Sequence, residues 1–138
     1  MLKKNRITVR ILLLAVVLCL LQACSGPSGP TAAEMAGQTA KAYYDQLLRG
    51  DYESFVAGSW RPDSIPASYH EQLVTNAKMF VGQQNEEHQG IREVRVANAQ
   101  ADTARHSANV FLLFAYGDST TEEVVVPMVE HKGVWYMR

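Results

Sequence analysis

An α+β fold is predicted, with N-terminal helices packed on a curved antiparallel four-stranded sheet. Three observations predict it. Between residues 31 and 84 apolar side chains recur at helical spacing. From residue 91 onward the period drops to two, with glycine-containing turns between the runs. All the helical segments precede all the strands, which is the order of an α+β chain and not of an alternating α/β one.

The first helix opens on Thr31-Ala32-Ala33-Glu34, a capping box with Thr at the N-cap and Glu three residues on. It should run to Arg49, with Gly50 as its stop. Ala36, Ala40, Tyr43 and Leu47 share one stripe, widened by Tyr44 and Leu48. Asp51 caps a short second helix, Tyr52 to Ala57, and the segment from Gly58 to Ser64 reads as a loop. A third helix starts near Pro66, which suits the first helical position. Ser68-Tyr69-His70-Glu71 offers an overlapping capping box. The stripe Tyr69, Leu73, Ala77, Phe80, with Val74 and Val81, carries this helix to about Gln84, and the polar run from Asn85 to Gly90 breaks it.

Ile91 to Ala99 is a half-exposed strand, Val94 and Val96 alternating with charges. Ser107 to Tyr116 is apolar on both faces and therefore central. Gly117-Asp118 turns it into Glu122 to His131, and Lys132-Gly133 turns that into Val134 to Met137. Pro127 cannot donate to a sheet ladder, so a bulge or an unpaired position is expected there. Leu47 and Leu113 are placed in the core. A strongly curved sheet wrapped around the first helix would leave a cone with an internal pocket.

The N-terminus carries a different message. Lys3, Lys4, Arg6 and Arg10 precede an apolar run from Ile11 to Leu21, the pattern of a secretory signal. A spanning helix needs about 20 apolar residues, more than this run supplies. The run ends in Leu21-Gln22-Ala23-Cys24, which resembles the lipobox of bacterial lipoproteins. In that family the cysteine thiol is alkylated with diacylglycerol, the signal (residues 1–23 here) is cut away, and the new amine is acylated. Two or three chains hold a protein on a bilayer durably where one does not. Residues 24–30 then form the lipidated cysteine and a flexible Gly/Ser/Pro tether, and residues 31–138 a single domain. Ser25, which is not an aspartate, favours by that resemblance an outer-membrane lipoprotein of the cell envelope, and the absence of acidic residues just after Cys24 favours its periplasmic face.

Cleavage before Cys24 removes Cys19 and four of the 13 basic residues. The remaining 9 Lys and Arg face 14 Asp and Glu, a formal charge of −5. No disulfide is available, so the domain stands on its own core. That negative charge argues against nucleic acid or an anionic membrane face as a partner, since both need clustered Lys and Arg.

The element order, with the phrase Tyr43-Tyr44-Asp45-Gln46-Leu47-Leu48-Arg49-Gly50-Asp51-Tyr52-Glu53, resembles the nuclear-transport-factor-like (cystatin-like) superfamily, in which a first helix ends in such a Gly-Asp-aromatic-Glu step. Within it the chain is similar to small Gram-negative lipoproteins of unknown function related to lumazine-binding-like families. Ser64-Ile65-Pro66-Ala67-Ser68-Tyr69, Gly90-Ile91, Gly117-Asp118-Ser119-Thr120 and Val126-Pro127-Met128-Val129-Glu130-His131 before Gly133-Val134-Trp135 carry that similarity. It implies a fold and a location. The superfamily holds isomerases, cyclases, dehydratases, binders and interaction modules, and fold alone selects none.

Chemical motifs are sparse. His70, His88, His106 and His131 show no metal-ligand spacing, and there is neither a cysteine pair nor a phosphate loop, so no metal or cofactor is expected and no catalytic residue is assigned. His70 reads as a surface residue, His88 as solvated, and His131 as a solvent-facing strand end. Acid–base residues of related enzymes project into the cone, which would make Tyr43, Tyr44, Tyr116, Glu130 and Tyr136 the candidates here. The residues expected to line a pocket are Tyr43, Tyr44, Trp60, Tyr116 and Trp135, with Tyr43 turned inward and Tyr44 nearer the edge. These features favour a membrane-anchored, non-enzymatic module that binds a small ligand or an envelope protein. The alternative is a small-molecule enzyme of isomerase or dehydratase type using the cone interior. A homodimer through an exposed apolar sheet face is a further expectation.

Cys24→Ser should abolish incorporation of a labelled fatty acid and release the chain from the membrane fraction or stall it as a precursor. Label retained by the variant would overturn the lipobox reading.

Overall fold

The computed structural model describes Gly26 and residues 29–138. Cys24, the signal segment and most of the tether lie outside them. Three helices come first: α1 (Ala32–Leu48), α2 (Tyr52–Ala57) and α3 (Ala67–His88). Four strands follow: β1 (Ile91–Asp102), β2 (Ser107–Tyr116), β3 (Thr121–His131) and β4 (Val134–Met137). The strands form one sheet in chain order, each antiparallel to the next. The helices pack on one face of this open sheet, the α+β arrangement expected. Among the described residues no helix is long and apolar enough to cross a membrane.

Local chemistry accounts for the helix ends. The Glu34 N–H donates to Thr31 Oγ1 at 3.2 Å while the Thr31 N–H donates to Glu34 Oε2 at 2.8 Å, closing the capping box. At the other end of α1, Gly50 takes a positive φ of 81° and the Asp51 N–H donates back to the Gln46 carbonyl at 2.9 Å. Asp51 then caps α2, accepting from the Ser54 N–H at 3.1 Å.

α3 departs from expectation at both ends. Pro66 is its N-cap residue and not its first helical one, and no side chain caps that end. The helix also runs past Gln84 to His88. The polar residues from Asn85 onward are compatible with a helix when one face is open to water, and a Gln83 to Glu87 hydrogen bond at 2.8 Å supports the last turn. The chain reverses only at Gln89 and Gly90, both with positive φ.

β1 extends to Asp102, beyond Ala99, because β2 supplies partners for Gln100, Ala101 and Asp102. Its register slips at Arg92 and at Ala97, each an extra residue against β2. Such bulges increase twist and bend the strand. Of the bulge or unpaired position expected at Pro127, the bulge is absent, since Asn109 faces Pro127 in uninterrupted register, but Pro127 is unpaired on its other side, where the β4 ladder stops at Met128. The Pro127 carbonyl accepts from the Arg138 N–H at 2.9 Å, so its nitrogen also faces the β4 side, just past Met137 where that strand has ended. No ladder donor is missed there. The outer edge of β4 takes a short parallel segment: the Trp60 N–H donates to the Met137 carbonyl at 2.6 Å, and the Met137 N–H to the Gly58 carbonyl at 2.8 Å.

The core lies between α1 and the sheet. Ala36, Ala40, Val94, Val110, Leu112, Phe114, Met128 and Trp135 are all buried there. Leu47 is buried as expected, but Leu113 is only half-buried. Along β2 the even-numbered residues face the helices, and Leu113 stands with Phe111 on the opposite face. A run apolar on both faces conceals its own phase. Among the described residues every buried hydrophobic side chain lies between Ala36 and Met137.

Leu47→Ala and Leu112→Ala should each cost about 2–5 kcal/mol, a large share of the roughly 5–15 kcal/mol available to a domain. Leu113→Ala should cost clearly less in a denaturant melt. Equal losses at positions 112 and 113 would show that the two faces have been assigned wrongly.

Candidate functional site

Beneath α1 the described residues pack as the hydrophobic core. An opening lies beside it, among the three helices. Tyr44, Phe55, Val56, Ser59, Arg61, Leu73, Asn76, Ala77 and Phe80 surround a cleft of about 280 Å³. Each wall has a local cause. α1 brings Tyr44, one position from its core stripe, and the Tyr44 ring meets Phe55 edge-on at 5.3 Å and Phe114 at 5.4 Å. α2 is short enough that Phe55 and Val56 point across to α3. The latter helix offers Leu73, Ala77 and Phe80, three consecutive steps of its apolar stripe. The extended chain after α2 alternates sides: Ser59 and Arg61 face the cleft, while the Trp60 ring packs on His131 at 4.4 Å and on Tyr136 at 5.4 Å.

The polar groups of the cleft are few. Arg61 Nη1 donates to the Val56 carbonyl at 3.1 Å, at the C-terminal end of α2. Asn76 Oδ1 accepts from Gln72 Nε2 at 2.8 Å. Burial raises the Tyr44 hydroxyl above its ordinary pKa. The lining holds neither a carboxylate nor an imidazole.

Of the five residues expected to line a pocket, this cleft contains Tyr44 alone, and Trp135 borders a separate surface hollow beside Met35 and Val134. Tyr44 is a wall of the cleft. Tyr43 turns inward and its hydroxyl donates to the Trp135 carbonyl at 2.8 Å. Its ring lies so close to Gly58 that a Cβ there would sit 2.6 Å from it. Burial, then the neighbouring Tyr136, raises the Tyr43 pKa. Trp135 is buried between α1 and the sheet, and its Nε1 has no partner among the described residues, nor does Gln46 Oε1. Trp60 is on the far side of its segment. Tyr116 lies at the other end of the sheet. Of the remaining acid–base candidates, Tyr136 is beside Trp60, and Glu130 pairs with His106 at 3.6 Å. Arg61, Leu73, Asn76 and Phe80 were not singled out as site residues by sequence. The signal that would have found them is the phase of α3: its apolar stripe has more aromatic and aliphatic surface than a sheet already covered by α1 can bury.

A second cluster joins the end of α3 to the β2–β3 turn. The His88 ring stacks on Tyr116 at 4.2 Å, and His88 Nδ1 lies 3.1 Å from Asp118 Oδ2. The Tyr116 hydroxyl donates to Glu122 Oε2 at 2.6 Å. His88, read from sequence as solvated, is thus half-buried, because α3 continues far enough to carry it onto the turn. The backbones meet as well: the Asp118 N–H donates to the His88 carbonyl at 3.0 Å and the Gly117 N–H to the Gly90 carbonyl at 2.8 Å. A Cβ on Gly117 would fall 2.2 Å from the Gln89 carbonyl oxygen, so only glycine permits this approach. Burial, reinforced by the bond to Glu122, holds the Tyr116 pKa far above its ordinary value. The Asp118 carboxyl is lowered to about 2, chiefly by the Thr120 hydroxyl and its N–H, with a smaller contribution from His88. His70 is bonded to Glu53 on the surface. Among the described residues no group of three or more His, Cys, Asp or Glu side chains could hold a metal ion.

The outer face of the sheet carries Phe111, Leu113, Val125, Val129 and Tyr136, with Val125 53% exposed, an apolar surface on the side away from the helices.

Helices on one face of an open, four-stranded antiparallel sheet match a nuclear-transport-factor-like (NTF2-like) α+β fold. A crystal structure of a protein described as an NTF2-like transpeptidase from Campylobacter jejuni superimposes with a TM-score of 0.59 at 12% identity, over 72% of this chain and 94% of that one. A SEC-C motif containing protein from Rhodopseudomonas palustris, solved in solution, gives a TM-score of 0.48 at 14% identity, over 83% of this chain and 93% of that one. The first likeness is one of fold. No family model and no curated protein matches the chain.

The lowered Asp118 carboxyl contributes stability above its ordinary pKa of 3.8 and loses it as the pH falls towards about 2. Asp118→Asn should therefore melt below the parent at neutral pH, and the gap should close between about pH 4 and pH 2. A gap that stays constant over that range would show that the carboxylate does not brace the turn.

Proposed function

We propose that this chain is a membrane-anchored lipoprotein whose domain is a non-enzymatic binding module, taking a small apolar ligand between its three helices. The cleft carries the reading. Ligand pockets are concave, mostly apolar and furnished with a few polar groups that fix orientation, and this one has aromatic and aliphatic walls with Ser59, Arg61 and Asn76 among them. Acid–base catalysis would call for two converging titratable groups of suitable pKa. The cleft offers Tyr44, raised by burial, with neither a carboxylate nor an imidazole beside it, so its lining favours binding over chemistry. The anchor rests on the sequence around Cys24 and the outer-membrane, periplasm-facing location on Ser25 and the residues after it. A short tether there would keep the domain within reach of the membrane surface, where apolar small molecules concentrate.

Decanol, an apolar probe of suitable girth, should shift the methyl resonances of Val56, Leu73 and Ala77 on titration into the domain. Ala77→Phe, which fills the cleft at a cost of about 1–3 kcal/mol, should abolish those shifts while the protein remains folded. Tyr43→Phe, outside the cleft, should leave them intact and cost about 1 kcal/mol through the lost bond to Trp135. Decanol shifts absent from the parent, or undiminished in Ala77→Phe, would refute the reading.

A further inference from the structure

Resting on that binding reading, we propose that the ligand is an amphiphile with a carboxylate head, its chain lying between Tyr44, Phe55, Leu73 and Phe80 and its head at Arg61.

The charge pattern points this way. From Cys24 onward acidic residues outnumber basic ones by 14 to 9, yet the cleft lining contains one cation and no anion. Among the described residues no carboxylate comes within ion-pair distance of Arg61. A guanidinium in a partly dry, apolar setting interacts with an anion more strongly than one in open water does.

The donors are also arranged for an anion. Arg61 has five N–H groups and shows one bond, from Nη1 to the Val56 carbonyl. That bond and the neighbouring Trp60 N–H to Met137 bond hold the side chain and its backbone in place without consuming the fork. A guanidinium so placed can offer two parallel N–H groups to one carboxylate. Asn76 has its carbonyl oxygen occupied by Gln72, which leaves its NH2 as the group open to a ligand, and Ser59 adds a hydroxyl. A cationic head would meet the like charge of Arg61 and no carboxylate in the lining.

Capping of α2 is a simpler role for Arg61, and the bond to Val56 provides it. Capping uses one of five donors, however, and would be served as well by a side chain outside the cleft. The size of the site limits the tail. At about 280 Å³ it lies at the small end of ligand pockets, roughly 300–1,000 Å³, which suits a single chain of medium length and not a two-chain lipid.

Calorimetric titration of the domain beginning at Ser25 with decanoate, decanol and decylammonium at neutral pH tests this. Decanoate should bind about ten-fold more tightly than decanol, the scale of a charge-assisted pair, and decylammonium the most weakly. Arg61→Gln should remove the preference, so that decanoate and decanol bind the variant with equal affinity. Arg61→Lys should recover part of the preference, since a point charge lacks the fork. Equal affinities for decanoate and decanol in the parent, or a decanoate preference that survives Arg61→Gln, would overturn the anionic head while leaving apolar binding standing. Failure of all three ligands to bind would instead defeat the binding reading itself.

Discussion

Close approach of α1 to the sheet is the constraint on which the other elements depend. Ala36, Gly37 and Ala40 present almost no side chain to β1, and a Cβ on Gly37 would already sit 3.1 Å from Val96 Cγ1. With the helix axis so near the strands, the space beneath it is filled by Val94, Val110, Leu112 and Met128. A bulkier stripe would have lifted α1 and opened the hollow that a cone-shaped fold suggests. The small stripe brings the helix onto the strands, and the cleft lies to its side, between α2 and α3.

α3 is what makes that side volume a cleft. Over its whole length only Ala77 is buried, so its hold on the rest of the domain is light along most of its surface. Its C-terminal end is secured, through the Gln89–Gly117 backbone contact and the stacking of His88 on Tyr116. A helix pinned at one end and lightly packed elsewhere can yield to a ligand at modest cost, because few buried contacts have to be broken. The titratable cluster lies at the pinned end, whereas the cleft proposed to take a ligand carries one charged side chain, Arg61. The most strongly perturbed ionisable groups and that cleft therefore lie apart.

Much of the architecture was legible in the chain itself. The capping box at Thr31, the Gly50 stop, the Asp51 cap and the turns at Gly117-Asp118 and Lys132-Gly133 each act over a few residues, and each lies where the residues predict. Misreadings arose where local pattern was silent about partners. β1 ran longer because β2 was there to pair with it. Pro127 took the unpaired position and not the bulge because β4 had ended beside it. Leu113 fell on the open face because an apolar run on both faces carries no phase. The site followed the same division: Tyr44 was legible as an edge aromatic on α1, whereas Arg61 and Asn76 had no motif to announce them.

By itself the sequence determined the α+β order and the helix and turn boundaries that short-range hydrogen bonds enforce, and around Cys24 it contains a stretch that resembles a lipobox. Only the tertiary structure decided which aromatic side chains meet a cavity. Tyr43 and Tyr44 are adjacent and chemically identical, and what separates them is a strand carbonyl at Trp135, far along the chain, that takes one hydroxyl. Likewise Arg61 becomes a lone cation in an apolar cleft only once α3 has folded across it. Such assignments depend on which distant surfaces fill space together, and that is a property of packing which no short window of residues contains.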